Sequence, residues 1–196
     1  MIIDISQEVF SCCVFPGDPQ PQMQRQMSID RGDICNLTSF SMCAHNGTHV
    51  DAPFHFINDG KTLSEMGLEP FVGECYVTLH DGDVTQEDAS VMIQKAKSAG
   101  ADKRILIKGR ATVTAQAAEV FAKAGLLLLG NESQTFGPQD SPKQVHEILL
   151  GAGLALLEGI VLKEADEGRY FLSAAPLHLG GCDGAPCRAL LIRQDK

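Results

Sequence analysis

The sequence contains no tryptophan and only two tyrosines among 196 residues, which excludes an indole N–H from any binding wall it builds. It is also short of positive charge. Sixteen lysines and arginines stand against 25 aspartates and glutamates, for a formal net charge of −9. That balance argues against a nucleic-acid partner, because phosphate binding needs a clustered positive field. Long apolar runs are missing too. Stretches such as Leu126-Leu127-Leu128-Leu129 are strand-sized, far below the roughly 20 residues of a membrane-spanning helix, so no membrane partner is expected. The start, Met1-Ile2-Ile3-Asp4, has neither the basic residues nor the apolar core of a secretory signal. Seven cysteines are an odd count, and adjacent Cys12 and Cys13 cannot easily pair with each other. The expectation is a reduced, cytoplasmic chain. Cys182 and Cys187 flank Asp183-Gly184-Ala185-Pro186 at a spacing unlike a zinc knuckle, and read as turn and strand residues.

What is present is ordinary for a folded chain: 44% apolar residues, 21% charged residues and no repeat or biased tract. One domain over residues 1–196 with a sizeable core is expected. Ile2 to Ile5 reads as an opening strand, and Phe15-Pro16-Gly17-Asp18-Pro19 as a turn. Ser28 to Met42 alternates loosely enough for one or two strands, and Gly73 to His80 for another. Thr85-Gln86-Glu87-Asp88 is a capping box, followed by Ala89, Met92, Ile93 and Ala96 at helical spacing up to Gly100. Arg104 to Ile107 is a buried strand; Thr114 caps a second helix with Ala117, Val120, Phe121 and Ala124 inward; Leu126 to Leu129 is a further strand. Ser141-Pro142-Lys143-Gln144 reads as a second capping box, with Val145, Ile148 and Leu149 as the buried stripe. Tyr170 to Leu179 and Pro186 to Arg193 read as paired strands across a glycine-rich turn. Alternating strands and helices imply right-handed crossovers and a largely parallel core. The fold class is therefore α/β, with a mixed, partly parallel central sheet flanked by helices.

Chemistry concentrates in His45-Asn46-Gly47-Thr48-His49-Val50-Asp51-Ala52-Pro53-Phe54-His55, where three of the six histidines share eleven residues with an aspartate. Imidazole and carboxylate are the natural ligands of zinc and similar divalent ions. Gly47 and Pro53 argue against an uninterrupted helix, so a tight loop aims these side chains at one point. Spacing alone leaves a metal or catalytic site and plain turn chemistry both open. Glu158, at the end of the apolar run Leu154-Ala155-Leu156-Leu157, either turns to solvent or meets a cation. His146 lies about 100° round its helix from Val145 and need not be a core residue. His80 and His178 have no constellation around them and read as structural.

The run His45-x-Gly47-Thr48-His49-x-Asp51-x-Pro53-x-His55-Phe56 resembles the signature of the cyclase family, best known for bacterial kynurenine formamidases, with every fixed position present. Isatin hydrolases and some polyketide cyclases are similar. The resemblance implies a single swivelling β/β/α-type domain and two divalent metal ions, zinc first and manganese second. His45 and His49 would hold one ion and His146 the other, with Asp51 and Glu158 bridging. His146 and Glu158 keep the family's twelve-residue separation in a matching Ser-Pro…His…Leu-Leu-Glu-Gly context. The family uses the histidine at position 55 as acid/base, and an aromatic residue, commonly tryptophan, before Pro-Gly-Asp-Pro to line the substrate pocket. Phe15 stands in that place. Glu132, Thr135 and Gly137 depart from the aspartates and serine that the family tends to carry there.

The activity so implied is that of a metal-dependent, arylformamidase-like amidohydrolase converting N-formylkynurenine to kynurenine and formate, a step of tryptophan catabolism. The implied assembly is a homodimer or higher homo-oligomer, its pocket partly closed by a neighbour's N-terminal segment. Alternatives are opening of a cyclic amide such as isatin, a cyclase or lyase reaction through an enolate, and a non-catalytic metal-binding role. The intact His55 counts against the last.

Overall fold

The computed structural model describes residues 1–193; the final three positions of the expected 1–196 unit lie outside the described residues. In chain order the first strands are β1 (Ile2–Asp4), β2 (Gln22–Met27), β3 (Leu37–Ser41), β4 (His49–Asp51), β5 (Val72–Leu79) and β6 (Gly82–Val84). Helix α1 (Gln86–Ser98) follows, then β7 (Arg104–Lys108), β8 (Ala111–Val113), α2 (Ala115–Lys123), β9 (Leu128–Asn131) and α3 (Lys143–Gly151). The chain closes with β10 (Ala155–Glu158), β11 (Gly168–Ser173), β12 (Gly184–Pro186) and β13 (Leu190–Ile192).

Among the described residues, nine strands form one mixed sheet in the order β1-β13-β11-β5-β7-β9-β10-β4-β12. The centre, β5-β7-β9-β10, is parallel, and the strands on either side of it pair antiparallel. The parallel strands are the apolar runs, since a strand covered on both faces has no polar face to show. Ile105, Ile107, Leu129 and Leu156 pack beneath all three helices; Leu106, Leu128 and Leu157 face the other way. That second cluster also gathers Ile3 and Leu191 from one end of the sheet with Val50 and Ala185 from the other, so the sheet curls around it.

Helix starts follow local chemistry. The Thr85 hydroxyl accepts from Asp88 N at 3.2 Å while Asp88 Oδ2 accepts from Thr85 N at 2.9 Å, and Thr114 accepts from Ala117 N at 3.2 Å. In α2, Ala118 rather than Val120 or Ala124 completes the fully buried face, because α2 packs between α1 and α3. The capping box expected at Ser141 does not form. Pro142 already has helical angles and is itself the cap, so Ser141 sits one residue too early for its hydroxyl to reach the first turn; it donates to Asp140 Oδ1 instead.

Three further differences concern strands. β2 was not expected, because Gln22-Met23-Gln24-Arg25-Gln26-Met27 is polar and almost wholly exposed, with no inward face to set a period. It pairs with β3 alone, in a ribbon outside the main sheet, and Ile29–Arg31 between them is a 3₁₀ turn. β9 starts two residues later than expected, Leu126 being used beneath the helices. β11 pairs with β13 as expected but stops at Ser173, short of Leu179, and Pro186, expected to open the second strand, instead joins Gly184 at the end of the glycine-rich turn in β12, which adds to β4.

The histidine loop is moored by a small polar knot. The Thr48 hydroxyl donates to Gly159 O at 2.6 Å and accepts from Gln7 N at 2.9 Å, and Gln7 Nε2 donates to the same Gly159 carbonyl at 2.8 Å. Gly159 has φ +65°, and a Cβ there would run into Gly47 O and Gln134 Nε2. Gly159→Ala is therefore expected to lower stability by about 1–3 kcal/mol, combining left-handed strain with overpacking. A urea midpoint equal to that of the parent protein would contradict the role of this contact.

Candidate metal and catalytic site

β4 lies between β10 and β12, and its register assembles the site. Glu158 is the direct cross-strand partner of His49, and Gly184 that of Asp51. A strand alternates its faces, so His49 and Asp51 share one side while Val50 joins the core on the other. Glu158 shares its face with Leu156, the helix side, and α3 brings His146 to that same side. All four polar residues are buried, at 1–2% exposure. The solvent-facing alternative for Glu158 is thus excluded, and His146 belongs to the interior.

Distances define two linked clusters. His49 Nε2 is 3.3 Å from Asp51 Oδ1 and 3.4 Å from Glu158 Oε2. His146 Nε2 is 3.1 Å from Glu158 Oε1 and 3.8 Å from Asp51 Oδ2. His45 Nδ1 is 2.9 Å from Asp51 Oδ1. Backbone carbonyls fix which ring nitrogen faces the site in two histidines, because a carbonyl can only accept. His49 donates from Nδ1 to Gly47 O at 3.0 Å and His146 from Nδ1 to Pro142 O at 2.9 Å, leaving both Nε2 atoms turned to the carboxylates. This backing of an imidazole by a backbone acceptor is the usual support for a metal-ligating histidine. Asp51 Oδ2 is buried without a hydrogen-bond partner among the described residues. Ligand atoms of His49, Asp51 and Glu158 lie within 4.8 Å of one another, and so do those of His45, Asp51 and His55. An all-nitrogen-and-oxygen donor set around an orphaned carboxylate oxygen fits a divalent cation.

Electrostatics agree. Burial pulls the His45 and His49 pKa values down, but their carboxylate partners outweigh it. His45 rises to about 9 through Asp183 and Asp51, and His49 to about 10 through Asp51 and Glu158. His146 is raised in the same way by Glu158, against its burial. Burial would raise Asp51, yet His45 and His49 hold it well below the carboxylate range. His55 differs: its burial prevails over the Asp51 charge and lowers its pKa, which keeps the ring neutral.

These groups line a cavity of about 250 Å³ walled by Phe15, Phe56, Gln134 and Thr135, with Asp18 also on its lining. Phe15 thus sits where an aromatic wall was expected. Of the departures on the loop after β9, only Thr135 reaches the cavity. Glu132 turns away to accept from Gly109 N and Leu162 N, both at 2.7 Å, and Gly137 packs against Pro142. His80 Nε2 lies 3.1 Å from Asp83 O and has no hydrogen bond to a cluster member among the described residues. Sequence reasoning missed Asp183, whose Oδ2 lies 2.8 Å from His45 Nε2 and 3.1 Å from His55 Nδ1. The only local signal is an acidic residue inside the turn Gly180-Gly181-Cys182-Asp183-Gly184.

This chain is similar in sequence and fold to known proteins. The family model described as "Cyclase: Putative cyclase" matches residues 3–136, more than half of the chain. A kynurenine formamidase of Salinibacter ruber is 34% identical, the match covering 97% of this chain and 96% of the relative. The structure of a potential metal-dependent hydrolase with cyclase activity superposes with TM-score 0.82 at 27% identity, covering 100% of this chain and 99% of that one. Isatin hydrolase A from Labrenzia aggregata superposes with TM-score 0.83 over 99% of this chain and 94% of its own, at 22% identity, a likeness of fold.

Protons and a divalent ion compete for the same imidazole lone pairs. Raised histidine pKa values stabilise the metal-free protein fully below about pH 6.5, the ordinary imidazole value. That contribution fades as pH climbs through about 9 and about 10, the folded values of His45 and His49. Metal-induced thermal stabilisation is accordingly expected to grow from near neutrality toward pH 9. A shift in Tm on metal addition that is independent of pH would refute the proton-for-metal exchange.

Proposed function

This chain belongs to the cyclase family, and from that premise we propose that it is a single catalytic unit, a metal-dependent hydrolase of a C–N amide bond acting on N-formylkynurenine. The carrying observation is the convergence of His45 from the loop before β4, His49 and Asp51 from β4, Glu158 from β10 and His146 from α3 around a buried Asp51 oxygen with no hydrogen-bond partner among the described residues, beside an aromatic-walled cavity. His45 and His49 would hold one ion and His146 a second, shared through Asp51 and Glu158. Zinc is the first choice and manganese the second, since no thiolate stands among the donors. When bound, such ions lower the pKa of water and polarise a carbonyl oxygen.

The chain's own residues supply the rest. Phe15 and Phe56 give the cavity apolar walls against which an aryl ring would pack, excluding water from that side. His55, a neutral imidazole on the cavity lining, takes a proton from the attacking water through Nε2, the ring nitrogen not turned to Asp183. As the C–N bond breaks, the same nitrogen returns that proton to the departing aryl amine, and formate leaves with the oxygen of the water.

A homodimer is part of the proposal, supported by the β2–β3 ribbon, which leaves Met23, Leu37 and Phe40 each at least half exposed. No helix among the described residues is long and apolar enough to cross a membrane. A reducing, cytoplasmic setting and a role in tryptophan breakdown complete the reading, in keeping with cysteines that are all free. Light scattering on the purified protein should give a dimer mass, and a monomer at micromolar concentration would remove that part.

His55→Ala is expected to lower turnover of N-formylkynurenine by roughly 10²–10⁴-fold with metal content intact. Glu158→Ala, by contrast, should lose metal as read by elemental analysis. Undiminished turnover in the first variant would sink the acid/base role, and full occupancy in the second the ligand role. Faster opening of isatin than of N-formylkynurenine would replace the substrate assignment.

A further inference from the structure

We infer that Asp183 is a positioning residue for His55: it holds that ring's proton on Nδ1, so that Nε2 is left with a free lone pair for the substrate cavity. The inference rests on the hydrolase reading for the task of His55, though not for its tautomer. An ionised carboxylate only accepts hydrogen bonds, so both rings facing Asp183 Oδ2 must donate to it. These are His45 through Nε2 at 2.8 Å and His55 through Nδ1 at 3.1 Å. In a neutral imidazole, a proton on Nδ1 makes Nε2 the acceptor. The two rings stack with centroids 3.9 Å apart and planes 24° from parallel, so a single oxygen can serve both edges. Phe56 stands edge-on to His55 at 4.5 Å and limits its tilt.

The backbone keeps Asp183 in place. Its carbonyl accepts from Ala52 N at 2.8 Å, and the next residue, Gly184, pairs in register with Asp51. A Cβ at Gly184 would lie 2.6 Å from His45 Cε1, so glycine is what lets β12 approach the histidine loop closely enough for the carboxylate to reach over it. The carboxylate itself is 41% exposed, and water can solvate its second oxygen while the first holds the rings. An acidic residue that orients a proton-transferring imidazole through Nδ1–H is a recurrent arrangement in enzymes.

Long-range ¹H–¹⁵N spectra of the full-length, metal-free protein at about pH 8, where an ordinary imidazole is neutral, read the tautomer without any substrate. His55→Ala identifies the resonance. The expected result is an Nδ1–H tautomer in the parent protein, lost in Asp183→Ala. Asp183→Asn keeps an acceptor oxygen in the same place and should preserve the tautomer, which guards against a folding defect in the alanine variant. An Nε2–H tautomer in the parent, or an Nδ1–H tautomer that survives Asp183→Ala, overturns the assignment.

In zinc- or manganese-loaded protein, Asp183→Ala should lower kcat on N-formylkynurenine by about 10- to 100-fold, with KM and metal content within about twofold. Added to His55→Ala, it should cost nothing more. An equal loss in that background, a rise in KM with kcat intact, or loss of metal through His45 would each overturn it. Failure of the parent to cleave this amide would count against the substrate reading alone, since the spectra stand apart from it.

Discussion

Two carboxylates, Asp51 and Glu158, are held out of water against three imidazoles, and the rest of the molecule can be understood as the structure needed to keep them there. An isolated buried charge costs several kcal/mol unless it is paired and hydrogen-bonded. Here the pairing is dense, yet Asp51 Oδ2 has no donor among the described residues. Protein interiors seldom leave such an atom without purpose. A cluster with this residual demand suits a cation better than it suits a purely structural role.

The scaffold meets the demand by register. Because β4 is clamped antiparallel on both sides, His49 cannot slide relative to Glu158 without moving Val50 out of the core. The knot at Thr48, Gln7 and Gly159 then fixes the loop before β4, and the backbone acceptors Gly47 and Pro142 set the ring orientations. Position is therefore determined twice, once by the sheet and once by the backs of the imidazoles. This is the kind of support a site needs if small displacements of its ligands are to be resisted.

Much of this was legible beforehand, and for local reasons. The caps at Thr85 and Thr114 act within four residues of themselves, and the apolar strands were readable as runs buried on both faces. The histidine loop stood out because chemically similar residues crowd into a short span. The exposed ribbon was obscure, since β2 has no inward face from which to read a period. Ser141 misled because a capping motif does not say which residue starts the helix, and Pro142 took the helical angles first. Loop substitutions at Glu132 and Gly137 looked like changes to the site, but contacts made elsewhere in the fold account for them.

By itself the sequence determined the fold class, the helix boundaries within a residue or two, and the identity of most side chains in the cluster. The first two depend on periodicity and capping; local chemistry left the roles of His146 and Glu158 open, and the family resemblance named them. Only the tertiary structure decided that Glu158 faces inward and that Asp183 joins His45 and His55. The contact between Asp183 and His55 spans 128 positions, and that with His45 spans 138. No local pattern encodes such a meeting. It arises when strand pairing brings β12 against β4, and the physical reason lies in hydrogen-bond register and in the absence of a side chain at Gly184.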